Sequence, residues 1–152
     1  RLAREATPVI TTPKTPFEIG PAYIFSKGAD ISLIATGTMT YQALVAAELL
    51  FKDGIEAEVV HVPTIKPLDK DTILKSVKKT GAVVTAEEGQ IIGGLGGAIA
   101  ELLGEEHPAP IRRIGMQDRF GESGAPAELL EHFGLDAKHI RLMAHDVLSS
   151  KR

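Results

Sequence analysis

Residues 31–62 restrict the fold of this chain more than any other stretch of the sequence. A continuous apolar run at 31–35 predicts a strand that is covered on both faces, and Gly37 marks a sharp turn after it. Apolar residues then recur at helical spacing as far as Gly54, and residues 57–62 predict a second buried strand. Strand, helix and strand in this order form a right-handed βαβ unit, which builds a parallel sheet with helices outside it.

The rest of the chain repeats this alternation of strands and helices. Apolar runs predict strands at 82–86, where Glu87-Glu88-Gly89 is expected to end the strand, and at 111–115. A strand at 22–25 precedes residue 31 too closely for a crossover helix, so it is predicted to be antiparallel and near a sheet edge. The pattern therefore predicts an α/β domain with about five strands, four of them parallel, and roughly five helices.

Several helix boundaries carry recognisable signals. Asp69, Ser123 and Asp136 are predicted to cap the helices that follow them. Gly104 is predicted to end the helix that the glycines near residue 93 open, and Ile92 is expected in the buried set of that helix.

Composition excludes several classes of function. A net charge of −3 over 152 residues argues against a binder of nucleic acid or of anionic membranes, which usually presents a basic face. The absence of cysteine excludes disulfides, thiol catalysis and cysteine-bound metals, and it is compatible with the cytoplasm. No apolar run approaches the roughly 20 residues of a membrane span, and no signal peptide is visible.

The first 20 residues differ in composition from the remainder. They contain Pro8, Pro13 and Pro16 among several threonines, which is typical of an extended linker. The chain also starts with arginine rather than methionine. We therefore expect a fragment or a processed piece of a longer protein.

Polar residues gather where the predicted parallel strands end. Glu87 and Glu88 follow the third of these strands, and Thr36, Thr64 and Asp118 follow others. Because open α/β sheets bind ligands at the carboxyl ends of their strands, this edge is a candidate ligand site. The sequence favours a structural alternative, in which one glutamate accepts hydrogen bonds from loop amides or reaches a subunit boundary.

The glycine-rich segment 93–97 invites comparison with a phosphate-binding loop, because glycine lets backbone amides approach an anion at a helix start. Its spacing is neither G-x-G-x-x-G nor that of a P-loop, and no acidic residue ends the following strand to hold a ribose. Close packing of a helix against a strand or another subunit is therefore the favoured interpretation.

Histidine and serine form no recognisable catalytic or metal-binding pattern. The five histidines lack metal-ligand spacing with a carboxylate and are predicted to be surface or partly packed residues. Ser123 lies outside a G-x-S-x-G motif, which argues against a serine hydrolase. Spacing and composition alone therefore predict an α/β domain without a self-contained active site.

Seven short blocks, distributed in order over nearly the whole chain, carry a resemblance to a known family. They are Arg1-Leu-Ala-Arg-Glu, Pro16-Phe-Glu-Ile-Gly, Ile34-Ala-Thr-Gly, Val62-Pro-Thr-Ile-Lys-Pro-Leu-Asp, Thr85-Ala-Glu-Glu-Gly, Gly93-Gly-Leu-Gly-Gly and Phe120-Gly-Glu-Ser-Gly-Ala-Pro-Ala-Glu-Leu-Leu. The set resembles the C-terminal domain of transketolase, a thiamine-diphosphate-dependent enzyme. The same domain type occurs in deoxyxylulose-phosphate synthases and in the beta subunits of 2-oxo acid dehydrogenases. The final block favours transketolase, either split or full-length.

The resemblance implies a three-layer α/β/α sandwich around a five-stranded, mostly parallel sheet whose first strand is antiparallel, which agrees with the strand pattern. It places residues 1–20 in a linker and the end of a preceding pyrimidine-binding domain, and residues 21–152 in the C-terminal domain. The role of the domain itself would be structural. It would complete a homodimer and support the active-site wall beside the N-terminal cofactor-binding domains or subunit.

The parent enzyme implied by the resemblance transfers a two-carbon ketol unit between sugar phosphates, in the pentose phosphate pathway of the cytoplasm. Thiamine diphosphate, held with Mg²⁺ or Ca²⁺, supplies the electron sink. In the family the cofactor lies between the two preceding domains, so no catalytic, cofactor-binding or metal-binding residue is expected in this chain, which alone would be inactive. Arg4 falls on the family position that holds the substrate phosphate, to which paired guanidinium donors are suited.

Two alternatives stay open. In the first, the domain is an independent regulatory module that binds a small ligand at the carboxyl edge of the sheet, near Thr36, Thr64, Glu87 and Asp118. In the second, the fold is the same and the parent is a 2-oxo acid dehydrogenase beta subunit or a deoxyxylulose-phosphate synthase. Neither nucleic acid nor a membrane is an expected partner.

Overall fold

The computed structural model describes residues 6–150, and the apolar runs of the sequence form a five-stranded sheet at its centre. The strands are β1 (Tyr23–Ser26), β2 (Ile31–Ala35), β3 (Ala57–His61), β4 (Val83–Gln90) and β5 (Ile111–Met116). Their order is β1-β3-β2-β4-β5. β1 pairs with β3 antiparallel, and the other neighbours are parallel, so the predicted sheet is confirmed.

Helices cover both faces of the sheet. They are α1 (Met39–Lys52), α2 (Lys70–Thr80), α3 (Leu95–Glu106), α4 (Pro126–His132) and α5 (Ala137–Ser149). α1 and α5 pack on one face against Leu33, and α2 and α3 pack on the other against Ile34. Neighbouring residues serve opposite cores because side chains alternate along a strand. The predicted three-layer sandwich is therefore confirmed. No helix among residues 6–150 is long and apolar enough to cross a membrane.

Local sequence signals account for several helix ends. The Asp69 carboxylate accepts a hydrogen bond from the backbone N–H of Thr72 at 3.0 Å, and Asp136 accepts one from His139 at 2.9 Å. Both predicted caps are therefore confirmed. Gly81 follows α2 in the left-handed conformation with φ 70°, which glycine adopts without a steric penalty.

Two boundaries on the α2 and α3 face differ from the prediction. β4 does not end at Glu87 but continues to Gln90, because Glu87 turns into the interior beneath the start of α3. α3 does not end at Gly104, where space around the residue is open, and it continues to Glu106. Ile92, which was expected to be buried, is 67% exposed because it lies in the loop before the helix.

α4 begins later than predicted. Ala125 occupies its cap position and Pro126 its first turn, so Ser123 does not cap the helix. Proline suits this position because its fixed φ is already helical and the N–H that it lacks would have no partner inside the helix.

Candidate functional site

The carboxyl ends of the parallel strands open onto a cleft because the chain leaves neighbouring strands in opposite directions. The connection from β2 leads to α1 on one face, whereas the connections from β3 and β4 lead to α2 and α3 on the other. Open α/β sheets bind ligands at such switch points. The cleft, called the edge cleft below, has a volume of about 970 Å³.

The edge cleft brings together four of the five polar residues predicted at this edge. Thr36 and Thr64 contribute from the loops after β2 and β3, and Glu87 and Glu88 contribute from β4. Asp118 is not among the lining residues. It follows the edge strand β5 with a left-handed φ of 49°, and its backbone N–H donates to the side chain of the last β4 residue at 3.1 Å. The ligand-binding role of all five residues stays a prediction.

Glu87 is 1% exposed and has two differently paired oxygens. Its Oε1 accepts a hydrogen bond from the backbone N–H of Gly96 at 2.9 Å, in agreement with the structural interpretation of this glutamate. Its Oε2 has no hydrogen-bond partner among residues 6–150. A Cβ atom at Gly94 would lie 2.0 Å from Oε2, so only glycine lets the loop pass so closely over the carboxylate.

The glycine-rich segment 93–97 lets a helix pack closely against a strand. This agrees with the interpretation that the sequence favours over a phosphate-binding loop. A Cβ atom at Gly96 would lie 2.8 Å from Thr85 Oγ1 and 3.0 Å from Arg113 Cδ. The start of α3, where the helix dipole favours negative charge, is occupied by the Glu87 carboxylate.

His61 is a residue of the edge cleft that sequence reasoning missed. It ends β3, lines the cleft and shares a hydrogen bond of 2.8 Å between Nδ1 and Thr40 Oγ1. Its ring packs against Phe25 with centroids 5.0 Å apart. Burial lowers the pKa of His61, so the ring is neutral at pH 7. The sequence signal that could have identified His61 as a cleft residue was its place at the end of a predicted strand.

The edge cleft has acidic but no basic side chains in its lining. The acidic side chains are those of Glu87 and Glu88, and no lysine or arginine side chain lines the cleft among residues 6–150. The cleft therefore disfavours anions such as phosphate.

A second cavity of about 600 Å³ adjoins the edge cleft, and Thr38 and Glu88 line both. Residues 6–8 form one of its walls, and the loop at 122–124 contributes to another. Arg4, the predicted substrate-phosphate residue, lies outside the described residues. One residue separates it from the wall at 6–8 in the sequence.

Within residues 6–150, no three or more His, Cys, Asp or Glu side chains are grouped so that they could hold a metal ion. His132, His139 and His145 each lie beside a single nearby carboxylate and remain partly or largely accessible to solvent. These positions agree with the predicted surface or partly packed histidines.

Comparison with protein families and curated proteins gives one consistent result. The family described as "Transketolase, C-terminal domain" matches residues 20–140. A 6-deoxy-6-sulfo-D-fructose transketolase subunit from Clostridium sp. (strain MSTE9) is 48% identical over 151 residues, covering 99% of this chain and 47% of that protein. A 1-deoxy-D-xylulose-5-phosphate synthase from Trichormus variabilis is 42% identical over 126 residues, covering 82% of this chain and 20% of that protein.

Solved structures agree on the fold. A structure described as "Split gene transketolase, inactive beta4 tetramer" superimposes with a TM-score of 0.94 at 43% identity, covering 98% of this chain and 49% of that chain. A Pichia stipitis transketolase mutant superimposes with a TM-score of 0.66 at 22% identity, which supports the fold alone. The chain spans about half the length of the first transketolase relatives it matches.

Proposed function

The chain belongs to the transketolase C-terminal domain family, and we propose that it is the C-terminal part of a transketolase that transfers a two-carbon ketol unit between sugar phosphates. The extent of the likeness carries this proposal. The clostridial transketolase subunit aligns with 99% of the chain, whereas the deoxyxylulose-phosphate synthase aligns with 82%. A deoxyxylulose-phosphate synthase or a 2-oxo acid dehydrogenase beta subunit is the alternative parent.

In the proposed parent, thiamine diphosphate with Mg²⁺ or Ca²⁺ supplies the electron sink. The residues described in this chain do not fit that group. They offer no cluster of metal ligands, and the edge cleft presents Glu87 and Glu88 without a lysine or arginine to balance a diphosphate. The cofactor is therefore proposed to bind the N-terminal domains or subunit, and this chain alone is proposed to be inactive.

The proposed role of residues 21–152 is structural: they complete a homodimer in the cytoplasm and support the active-site wall. Large apolar side chains that this part of the chain leaves exposed are available for such contacts, among them Phe51, Ile92, Phe120 and Leu142. Exposed apolar groups of this size favour burial against another surface. The description of the split transketolase structure as a tetramer supports self-association of the domain type.

Residues 1–20 are proposed to be the linker that carries Arg4 to the substrate. A guanidinium group binds a phosphate through two parallel donors, so Arg4 would fix the anionic end of the sugar while the carbonyl end reacts elsewhere. The name of the clostridial relative favours a second candidate, in which the anionic end is a sulfonate. Either anion would use the same arginine.

A chimera tests the proposal. The 151 matching residues of the clostridial subunit are replaced by the corresponding residues of this chain, and ketol transfer is measured with its partner subunit, thiamine diphosphate and Mg²⁺. We expect the chimera to be active and the subunit without these residues to be inactive. A chimera that folds and assembles yet transfers no ketol unit, with phosphorylated or sulfonated ketoses, would overturn the proposal.

The Arg4→Gln variant of the same chimera tests the linker. Loss of one charged, paired hydrogen bond is expected to raise KM for the anionic ketose about tenfold or more and to change kcat less. A Lys14→Gln variant removes a positive charge elsewhere in residues 1–20 and serves as the control. Equal effects of the two substitutions would contradict the role of Arg4.

A further inference from the structure

The edge cleft contains a buried carboxyl group, that of Glu87, with one oxygen that has no hydrogen-bond partner among residues 6–150. Glu87 is 1% exposed, and no lysine, arginine or histidine is paired with it among the described residues. Among residues 6–150 its hydrogen-bond partner is the backbone N–H of Gly96, which bonds to Oε1 and leaves Oε2 without a donor. A buried carboxylate oxygen without a partner is costly, and a ligand in the cleft can supply the missing donor.

Other groups in the edge cleft complement the same kind of ligand. Glu88 adds an exposed carboxylate, and Thr36 and Thr64 add hydroxyls that can accept hydrogen bonds. Thr38 Oγ1 is buried in the lining and has no partner in the part of the chain that the structure describes. The lining therefore offers several hydrogen-bond acceptors and two carboxyl groups, and it contains no lysine or arginine side chain among the described residues.

The kind of cation can be narrowed further. A bound metal ion needs several ligands converging on one point, and residues 6–150 contain no group of three or more His, Cys, Asp or Glu side chains that could hold one. An organic ammonium group instead takes three separate hydrogen bonds from carboxylate and hydroxyl oxygens. The volume of about 970 Å³ is at the upper end of the range usual for small-molecule sites.

We propose that the edge cleft binds a small organic ammonium compound, whose –NH₃⁺ group lies against Glu87 and Glu88. The loop over Glu87 Oε2 is suited to admit such a group. Gly93 has a left-handed φ of 74° with open space around it, and Gly94 passes close to the oxygen. The proposed binding requires these two glycines to shift so that Oε2 faces the cleft. This binding is separate from the proposed ketol transfer and does not depend on it.

The test uses the ¹⁵N-labelled 152-residue chain, titrated at pH 7 and 0.15 M salt with 1,4-diaminobutane. The neutral isostere 1,4-butanediol and the anion glycerol 3-phosphate are titrated in parallel. We expect saturable amide shifts at Gly37, Gly89 and Gly93 with the diamine, and binding at least tenfold weaker for the diol and the phosphate. Equal binding of the diol, preference for the phosphate, or diamine shifts centred elsewhere would overturn the proposal.

Substitutions test which carboxyl group binds the diamine. Glu87→Gln keeps an acceptor for the Gly96 N–H and removes the charge, and we expect it to weaken diamine binding about tenfold or more. Glu105→Gln, at the opposite end of α3 and exposed, is the matched control and should leave binding unchanged. If Glu87→Gln fails to fold, the proposal is tested by diamine binding to Glu88→Gln and by the positions of the amide shifts in the wild-type chain. Unchanged binding in both folded cleft variants would contradict the proposal.

The two proposals fail in different experiments. Loss of ketol transfer in the chimera concerns assembly with the partner subunit and leaves diamine binding to the isolated chain unaffected. Absence of diamine binding leaves the chimera active.

Discussion

The buried polar side chains at the two ends of the sheet differ in whether they have hydrogen-bond partners. At the amino end, Ser32 Oγ lies 2.7 Å from both Ser76 Oγ and Thr80 Oγ1, and all three residues are buried. At the carboxyl end lie the buried side-chain atoms that have no partner among residues 6–150. They are Tyr23 OH, Thr38 Oγ1, Thr85 Oγ1 and Glu87 Oε2.

The two buried glutamates repeat this contrast. Glu58, near the amino end of β3, pairs with Lys79 of α2, whereas Glu87 near the carboxyl end of β4 leaves one oxygen unpaired. Polar groups that stabilise a domain find their partners inside it, while unpaired groups are tolerated where a ligand or another chain can supply the partner. The amino end is therefore a closed structural edge, and the carboxyl end is the one for which a ligand site is proposed.

The largest expected effect tests how tightly the chain is packed at the amino end of the sheet. A Cβ atom at Gly28 would lie 2.3 Å from the backbone carbon of Ala57, and a strand backbone cannot move aside. Gly28→Ala should therefore lower the free energy of unfolding by about 3 kcal/mol, measured by urea denaturation. Gly97→Ala, placed in open space in α3, should raise it by about 0.5 kcal/mol. Equal changes in unfolding free energy for the two variants would show that Gly28 is packed no more tightly than Gly97.

The hydroxyl cluster at the amino end should give the next largest effect. Ser32→Ala removes the shared partner of Ser76 and Thr80, and it should cost about 2 kcal/mol of unfolding free energy because a buried hydroxyl loses its hydrogen bond. The double variant Ser32→Ala/Ser76→Ala should cost less than the sum of the two single variants. Strict additivity in thermal or urea unfolding would contradict a coupled cluster.

The corresponding substitution at the carboxyl end should have the opposite sign or no effect. Thr85→Val replaces a buried hydroxyl without a partner by a methyl group of similar size, so the domain should gain between roughly 0 and 1 kcal/mol. Thr80→Val, in the paired cluster, is the matched control and should destabilise the domain. A clear loss of stability for Thr85→Val would mean that its hydroxyl is paired in solution.

The smallest expected effect is a pH dependence at the exposed rim of the amino end. Asp53 accepts hydrogen bonds from Arg141 at 2.6 and 2.7 Å and lies 2.9 Å from His145 Nε2. These partners lower the pKa of Asp53 from 3.8 to about 2. Because the folded pKa lies below the unfolded one, this stabilisation is fully present above pH 3.8 and is lost as the pH falls through about 2.

Asp53→Asn should therefore flatten the fall in melting temperature between pH 4 and pH 2, and the effect should shrink in high salt because the pair is exposed. Glu105→Gln is the control, since the residue is exposed on another helix. An unchanged pH profile for Asp53→Asn would show that the cluster adds nothing to stability.

Much of the fold was predictable because short-range patterns dictate it. The continuous apolar run at 31–35 indicated a strand covered on both faces, and the short interval after residue 25 indicated the antiparallel β1. Asp69 and Asp136 cap helices through bonds that reach only three residues along the chain. Ser123 had the same chemistry, but Pro126 fixed the helix start instead.

The candidate site was predictable only in outline. The rule for strand ends in parallel sheets placed Thr36, Thr64, Glu87 and Glu88 at one edge, and they do line one cleft. The same rule included Asp118, which follows β5 and is not among the residues that line the cleft, although Met116 at the end of β5 is. His61 was missed because sequence alone did not distinguish a histidine at a strand end from a surface histidine.

The sequence by itself determined the alternation of strands and helices, the two apolar faces of the sheet and the edge at which polar residues collect. These features follow from side-chain periodicity and from hydrogen bonds between near neighbours. Tertiary structure alone decided which polar groups are paired. Ser32 meets Ser76 and Thr80 across 44 and 48 residues, and Glu87 turns inward because α3 offers a backbone N–H and Gly94 leaves room for the carboxylate. Such pairings depend on distances that exist only after the layers have packed.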